Sequence, residues 1–190
     1  MDTYQTIQQR RTIRRFGQQP LTAEQLRRYV DAARLAPSGA NLQPLKYVII
    51  QKKEIVDQLF GLVRWAAYLA PEGTPGPGER PTAYIAQIVD LKIKQAGYEL
   101  DAGAAMENLL LAAEADGIGC CWMGSVDYVR VSELLGLKET EKLIGVVSMG
   151  MKAEQPVEDS WQGSVKYYKD SNSVLHVPKR PLEEVILREM

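Results

Sequence analysis

The stretch QRRTIRRF, residues 9–16, places Arg10, Arg11, Arg14 and Arg15 around Thr12. A concentration of positive charge of this kind serves one of three ends: a solvated helix face, a nucleic-acid patch, or a pocket for one small anion. The planar guanidinium fork pairs bidentately with phosphate oxygens. A phosphomonoester carries about −1.5 to −2 charge at neutral pH, which two or three arginines match. If RRTIRR were helical, Arg10 and Arg14 would share a face, with Arg11 and Arg15 beside them.

Two further segments carry polar chemistry. In APSGANLQP, residues 36–44, Ser38, Asn41 and Gln43 can exchange hydrogen bonds with a polar heterocycle, and Gly39 permits close backbone approach. GIGCCWMGS, residues 117–125, begins G-x-G, but Trp122 stands where a dinucleotide fingerprint needs its third glycine. Those glycines also follow a helical pattern rather than a strand, so a Rossmann site is rejected; Gly124 could instead end a strand with backbone amides facing a ligand. A smaller basic pair, Lys179 and Arg180, lies near the C-terminus.

Other chemistries find little support. His176 is the only histidine, and no acid or nucleophile beside it is evident in the sequence, so hydrolase triads are disfavoured. Cys120 and Cys121 are adjacent and lack zinc-ligand spacing, which points to buried reduced thiols. Lys and Arg number 23 against 24 Asp and Glu, so the chain is no general polyanion binder and a nucleic-acid role is not expected. No apolar run approaches the roughly 20 residues of a membrane span, and MDTYQTIQQRR lacks a secretory core. A cytoplasmic protein is expected, folded as one domain over residues 1–190.

The elements that must position these segments follow from periodicity. Thr22 and Gln25 have capping-box spacing, and Leu26, Tyr29, Val30 and Ala33 make an apolar stripe that ends before Pro37. LKYVIIQ, TAYIAQIVD, GCCWMGSV and LIGVVSMGM read as strands, and KEIVDQLFGLVRWAAYL, residues 53–69, as a helix. PEGTPGPGERP must be an irregular loop. DAGAAMENLLLAAEADG is a buried helix whose many alanines permit close approach of another backbone, such as a second copy. The tail reads as strand, polar turn over Asp170–Ser173, strand and a last helix after Pro181. Interleaved helices and strands make an α/β or α+β fold.

Taken in order, RRTIRRF, APSGANLQP, DAGAAMENLLLAAEADGIGCCWMG and LHVPKRPLEEVI resemble successive motifs of the FMN-dependent nitroreductase family. Thr12 replaces that family's usual serine, and Leu45 stands where many members have Trp. The resemblance implies an α+β sandwich with a central, mostly antiparallel sheet flanked by helices. It also implies an intertwined homodimer with flavin sites at the subunit interface.

By the same resemblance, Arg10, Arg11, Thr12 and Arg14 would grip the FMN phosphate and the polar edge of its ring. Lys179 and Arg180 would join on that phosphate. Pro37, Ser38, Gly39 and Asn41 would reach the flavin from the other subunit, and Met123 and Gly124 would lie near its reactive face. The implied activity is ping-pong hydride transfer from NADH or NADPH to a small organic acceptor of nitroaromatic or quinone type, with no side chain singled out as acid or base. PEGTPGPGERP would form a short lid with Trp65 and Tyr68 near it. The alternatives are a reductive dehalogenase or flavin-modifying branch of the same fold, and a non-catalytic flavin carrier.

Overall fold

The computed structural model describes residues 2–190, so Met1 lies outside the described residues. Helix α1 (Thr3–Gln9) opens with a capping box: Asp2 accepts from the Gln5 amide at 2.8 Å, and the Gln5 side chain accepts from the Asp2 amide at 3.1 Å. It ends at Arg10, so RRTIRR is not helical. Instead the Ile13 amide donates to the Cys120 carbonyl at 2.9 Å, and Thr12 lies in a parallel bridge beside Cys120. The Glu154 carboxylate accepts from the amides of Arg14 and Arg15, providing acceptors that a helix would have supplied itself.

Strand β1 (Phe16–Gly17) leads to helix α2 (Ala23–Arg34), strand β2 (Leu45–Ile50) and helix α3 (Lys53–Phe60). The helix expected over 53–69 therefore stops at Phe60. Beyond it, Val63 bridges to Val126, the Arg64 amide donates to Ser125 O at 2.9 Å, and the Asp127 amide donates to Leu62 O at 2.8 Å. These tertiary bonds override the local pattern. Strand β3 (Ala83–Asp90), helix α4 (Glu99–Ala115), strand β4 (Ile118–Met123), helix α5 (Tyr128–Leu135) and strand β5 (Glu141–Lys152) follow. The chain closes with strands β6 (Val157–Ser160), β7 (Tyr168–Lys169) and β8 (Leu175–Lys179), then helix α6 (Leu182–Val185).

Strands β4, β5, β3 and β2 run antiparallel in that order, β1 pairs the far end of β5, and the Thr12 segment flanks β4. This is the α+β arrangement with a central antiparallel sheet. Side-chain alternation divides the core in two. Tyr84, Ala86, Cys121, Met123 and Val146 face α3 and α5; Ala83, Ile85, Cys120, Val147 and Met149 face α2 and α4. A second sheet, in the order β6-β8-β7, has a parallel and an antiparallel pair.

Helix α4 buries Ala102, Ala105, Met106, Leu109 and Ala113 against its own chain, so these alanines serve intramolecular packing. A second stripe, Leu100, Gly103, Ala104, Glu107 and Leu111, stays open to different degrees, with Leu100 84% exposed. Its spacing is that of one helix face.

Candidate functional site

The arginine segment is held against β4 as an extended strip. Arg10 Nε lies 2.9 Å from Glu107 Oε1 on α4, an ion pair without hydrogen-bond geometry. Arg11 pairs with Glu158 of β6, and its buried Nε has no hydrogen-bond partner. Arg15 pairs with Glu79 and donates to the Glu72 carbonyl at 2.9 Å. Arg14 differs from its neighbours. Among the described residues no carboxylate lies within 4 Å of its guanidinium, which sits 5.0 Å from the ring centre of Tyr167.

Pro37–Gln43 forms a tight turn after α2. Ala40, Asn41 and Gln43 all take positive φ (50°, 54° and 52°), a conformation that side chains disfavour and that the surroundings must impose. Two anchors impose it. The Ser38 hydroxyl accepts from the Gln43 amide at 3.0 Å. Buried Asp101, in the first turn of α4, accepts from the Gly39 amide at 3.0 Å and from Lys94 Nζ at 2.6 Å. The Lys94 hydrogen bond, and then the Gly39 amide, hold the Asp101 carboxyl below the usual carboxylate range.

Met123 ends β4 in the core, and Gly124 beyond it is exposed. A Cβ built on Gly124 would meet only the Tyr128 hydroxyl, at 3.9 Å, so the backbone is open on its Cα side, while the Gly124 carbonyl accepts from that hydroxyl at 2.9 Å. Cys120 and Cys121 point into opposite core layers. Burial pushes the Cys121 thiol up to about 11, with nearby Arg14 pulling the other way, and burial raises Cys120 further.

The C-terminal basic pair approaches the strip through β6. Glu158, the partner of Arg11, lies opposite Val177, and Lys179 is two residues along β8 opposite Ser160. That separation is about 7 Å at the usual strand rise. Arg180 pairs with Glu184 at 2.9 Å and covers the Trp161 ring at 4.8 Å.

Within one chain these residues line separate concavities. Arg11 belongs to one of about 940 Å³, Gly124 to one of about 480 Å³, and Pro37 and Ser38 to one of about 360 Å³. Asp101 and Glu154 carried no sequence signal because they act across 62 and 140 positions of chain, and Lys94 enters only as the partner of Asp101, seven positions away. Trp65 packs on Phe60 in the core (ring centres 5.5 Å apart), leaving Tyr68 as the exposed aromatic beside the Gly/Pro loop. His176 has acid neighbours after all: Asp159 and Asp170 lie 3.5 Å from its two ring nitrogens, and its ring stacks on Tyr168.

The model of the family described as Nitroreductase family matches residues 7–81 and 91–151, a span that includes the arginine strip, the 37–43 turn and Gly124. The chain belongs to the nitroreductase family. An NADH dehydrogenase of Thermus thermophilus is 30% identical over 183 residues, covering 82% of this chain and 89% of the relative. An NADPH-flavin oxidoreductase of Vibrio harveyi is 26% identical, covering 82% of this chain and 68% of the relative. Among solved nitroreductases, a provisionally assigned one from Desulfovibrio desulfuricans, in complex with FMN, superposes with a TM-score of 0.74. It is 25% identical and covers 100% of this chain and 98% of its own.

Proposed function

We propose that this chain is an FMN-dependent oxidoreductase, a homodimer that uses NADH or NADPH to reduce a small organic acceptor of nitroaromatic or quinone type. The observation that carries the proposal is the docking of the arginine strip beside β4, with the open backbone of Gly124 at the other end of that strand. Cys120, beside Thr12, is four residues from Gly124, about 13 Å of strand. That length suits a flavin mononucleotide with its phosphate at the arginines and its ring at Gly124.

The donor set fits the group. The guanidinium of Arg14 and the ammonium of Lys179 have no carboxylate within 4 Å among the described residues, and Arg11 keeps a buried unpaired N–H. The pairing of Arg10, Arg11 and Arg15 with carboxylates also makes the strip a poor open field for a nucleic acid. Arg11, Arg14 and Lys179 would hold the phosphate, Thr12 the ribityl side, and Met123 and Gly124 the edge of the ring. Bound FMN would supply a two-electron carrier that accepts and returns hydride. Donor and acceptor would use the same open space beside Gly124 in turn, which needs no dinucleotide fingerprint. For a quinone the balance is NAD(P)H, quinone and one proton to NAD(P)+ and hydroquinone.

The dimer is supported by the half-open stripe of α4 and by Arg10, which sits on it through Glu107. A second chain laid on this stripe would bring its own Pro37–Asn41 turn toward the first chain's arginines and join concavities that one chain keeps apart. The single domain and a cytoplasmic setting, where buried thiols stay reduced, belong to the same reading. Sedimentation equilibrium with and without FMN tests it: a dimer binding one FMN per chain is expected. A monomer that takes up no FMN would refute it.

A further inference from the structure

The small sheet holds the chain's one histidine between two carboxylates. His176 lies on β8; its Nδ1 is 3.5 Å from Asp159 of β6, and its Nε2 is 3.5 Å from Asp170 in the turn between β7 and β8. Tyr168 of β7 stacks on the ring with centres 4.9 Å apart and planes 11° from parallel, and its hydroxyl donates to Asp159 at 2.6 Å. Asp159, Asp170 and Tyr168 are thus the titratable groups that face the ring from β6, the turn and β7.

Both carboxyls are kept ionised. The Tyr168 hydroxyl holds Asp159 below the usual carboxylate range, and the Val174 amide, at 2.8 Å, does the same for Asp170. Among the described residues no lysine or arginine lies within 4 Å of either. Two negative charges face one group that can be cationic. Both ring nitrogens are buried, yet neither makes a hydrogen bond. Their 3.5 Å separations exceed the roughly 2.7–2.9 Å of a charge-assisted N–H···O bond, so the contact stops just short of closure.

We propose that His176, Asp159 and Asp170 form a proton-operated clasp on the small sheet, closed when the ring is charged. A neutral imidazole has one N–H and can serve one carboxylate; the imidazolium has two and serves both. Histidine is the side chain whose charge changes between about pH 5 and 8. The charged ring also gains from the face of Tyr168. Losing the proton leaves two carboxylates without a counter-ion on a sheet whose β6 has four residues and β7 only two. The closed state is the one that binds the proton, so lower pH tightens the sheet and higher pH loosens it.

The clasp sits on the two strands that approach the arginine strip. Glu158, next to Asp159, is the partner of Arg11, and Lys179 lies three residues beyond His176 on β8. Resting on the flavin reading above, opening the clasp should weaken the hold of Lys179 and Arg11 on the FMN phosphate.

Amide hydrogen exchange of the full-length protein at pH 6 and pH 8, corrected for the intrinsic rate, tests the clasp without reference to flavin. Protection in β6 and β8 should fall roughly fivefold at the higher pH, the upper range for an exposed ion pair, while β3 stays constant. His176→Gln should remove the difference, and so should Asp159→Asn combined with Asp170→Asn. The parent-to-variant ratio of FMN dissociation constants should follow, a ratio that cancels the titration of the FMN phosphate itself. Protection that is equal at the two pH values, or higher at pH 8, would overturn the clasp. So would a difference kept by His176→Gln or, should that variant fail to fold, by the double variant. The expected exchange in protein that binds no FMN would support the clasp and remove the flavin reading; the expected exchange with an unchanged FMN ratio would overturn the link to the phosphate.

Discussion

The amide of Gly39 donates to the buried carboxylate of Asp101 at 3.0 Å, fastening the turn after α2 to the first turn of α4. A Cβ on Gly39 would come within 3.1 Å of Lys94 Nζ, the other partner of that carboxylate, so the three groups are closely packed. Replacing Asp101 by Ala leaves Lys94, only 16% exposed, without its counter-ion. The expected loss is about 1.5–3 kcal/mol, the range for a hydrogen bond to a charged group. Chemical denaturation checks the size, and FMN affinity should fall with it, because Ala40, Asn41 and Gln43 lose what holds their positive φ. A variant with unchanged stability would mean that the turn holds itself.

The same carboxylate gives a pH dependence. Lys94 first, and the Gly39 amide second, lower its folded pKa below the unfolded value of about 4. Such a group adds stability that is fully present above the unfolded pKa and lost as pH falls through the folded one. Urea midpoints measured from pH 6 to pH 3 should therefore fall less steeply for Asp101→Asn than for the parent. Identical slopes would remove Asp101 from the acid response.

Gly119 explains how the arginine strip lies so close to β4. A Cβ there would sit 2.7 Å from Ile13 Cγ2 and 2.9 Å from Ile13 Cβ, too near for a β-branched side chain to swing clear. Gly119→Ala should cost about 1–3 kcal/mol by overpacking and weaken FMN binding by lifting Thr12 and Arg14 from the strand. Adding Ile13→Ala should recover part of the FMN affinity, read by fluorescence titration. No recovery would place the defect elsewhere.

Arg14 is the strip's guanidinium without a carboxylate partner. Arg14→Gln should raise the FMN dissociation constant tenfold or more, since a charge-assisted hydrogen bond to phosphate is worth about 1.5–3 kcal/mol. Arg27→Gln, on the exposed face of α2, serves as the control and should leave the constant unchanged.

The two cysteines should be inert in the native protein. With Cys121 pushed up to about 11 and Cys120 raised further by burial, almost no thiolate exists at pH 8. A chromogenic disulfide reagent should titrate neither thiol until guanidinium unfolds the chain, and then both. Rapid native labelling of either would contradict the packing seen here.

Much of this was readable from residue order because the signals were local. Thr22 and Gln25 form the capping box that their spacing predicts, and β3, β4 and β5 fall where their runs place them. The failures were non-local. Nothing near Arg14 indicates that Glu154 will take its amide, and nothing near Leu62 indicates that Asp127 will bond its carbonyl. Long-range bonds of this kind hold the arginine segment extended, where residue order left its conformation open, and cut the helix expected over 53–69 at Phe60. Asp101 carried no legible site signal either; an acid in a first helical turn is common for dipole reasons alone.

The absorption spectrum of the purified protein, taken before and after adding NADH or NADPH without oxygen, reads both the cofactor and the donor. The expected result is a flavin spectrum that one of the two nicotinamides bleaches, from a cofactor released as FMN on denaturation. A colourless protein that takes up no added FMN would contradict it, and bound flavin that neither donor bleaches would contradict the NAD(P)H-driven activity.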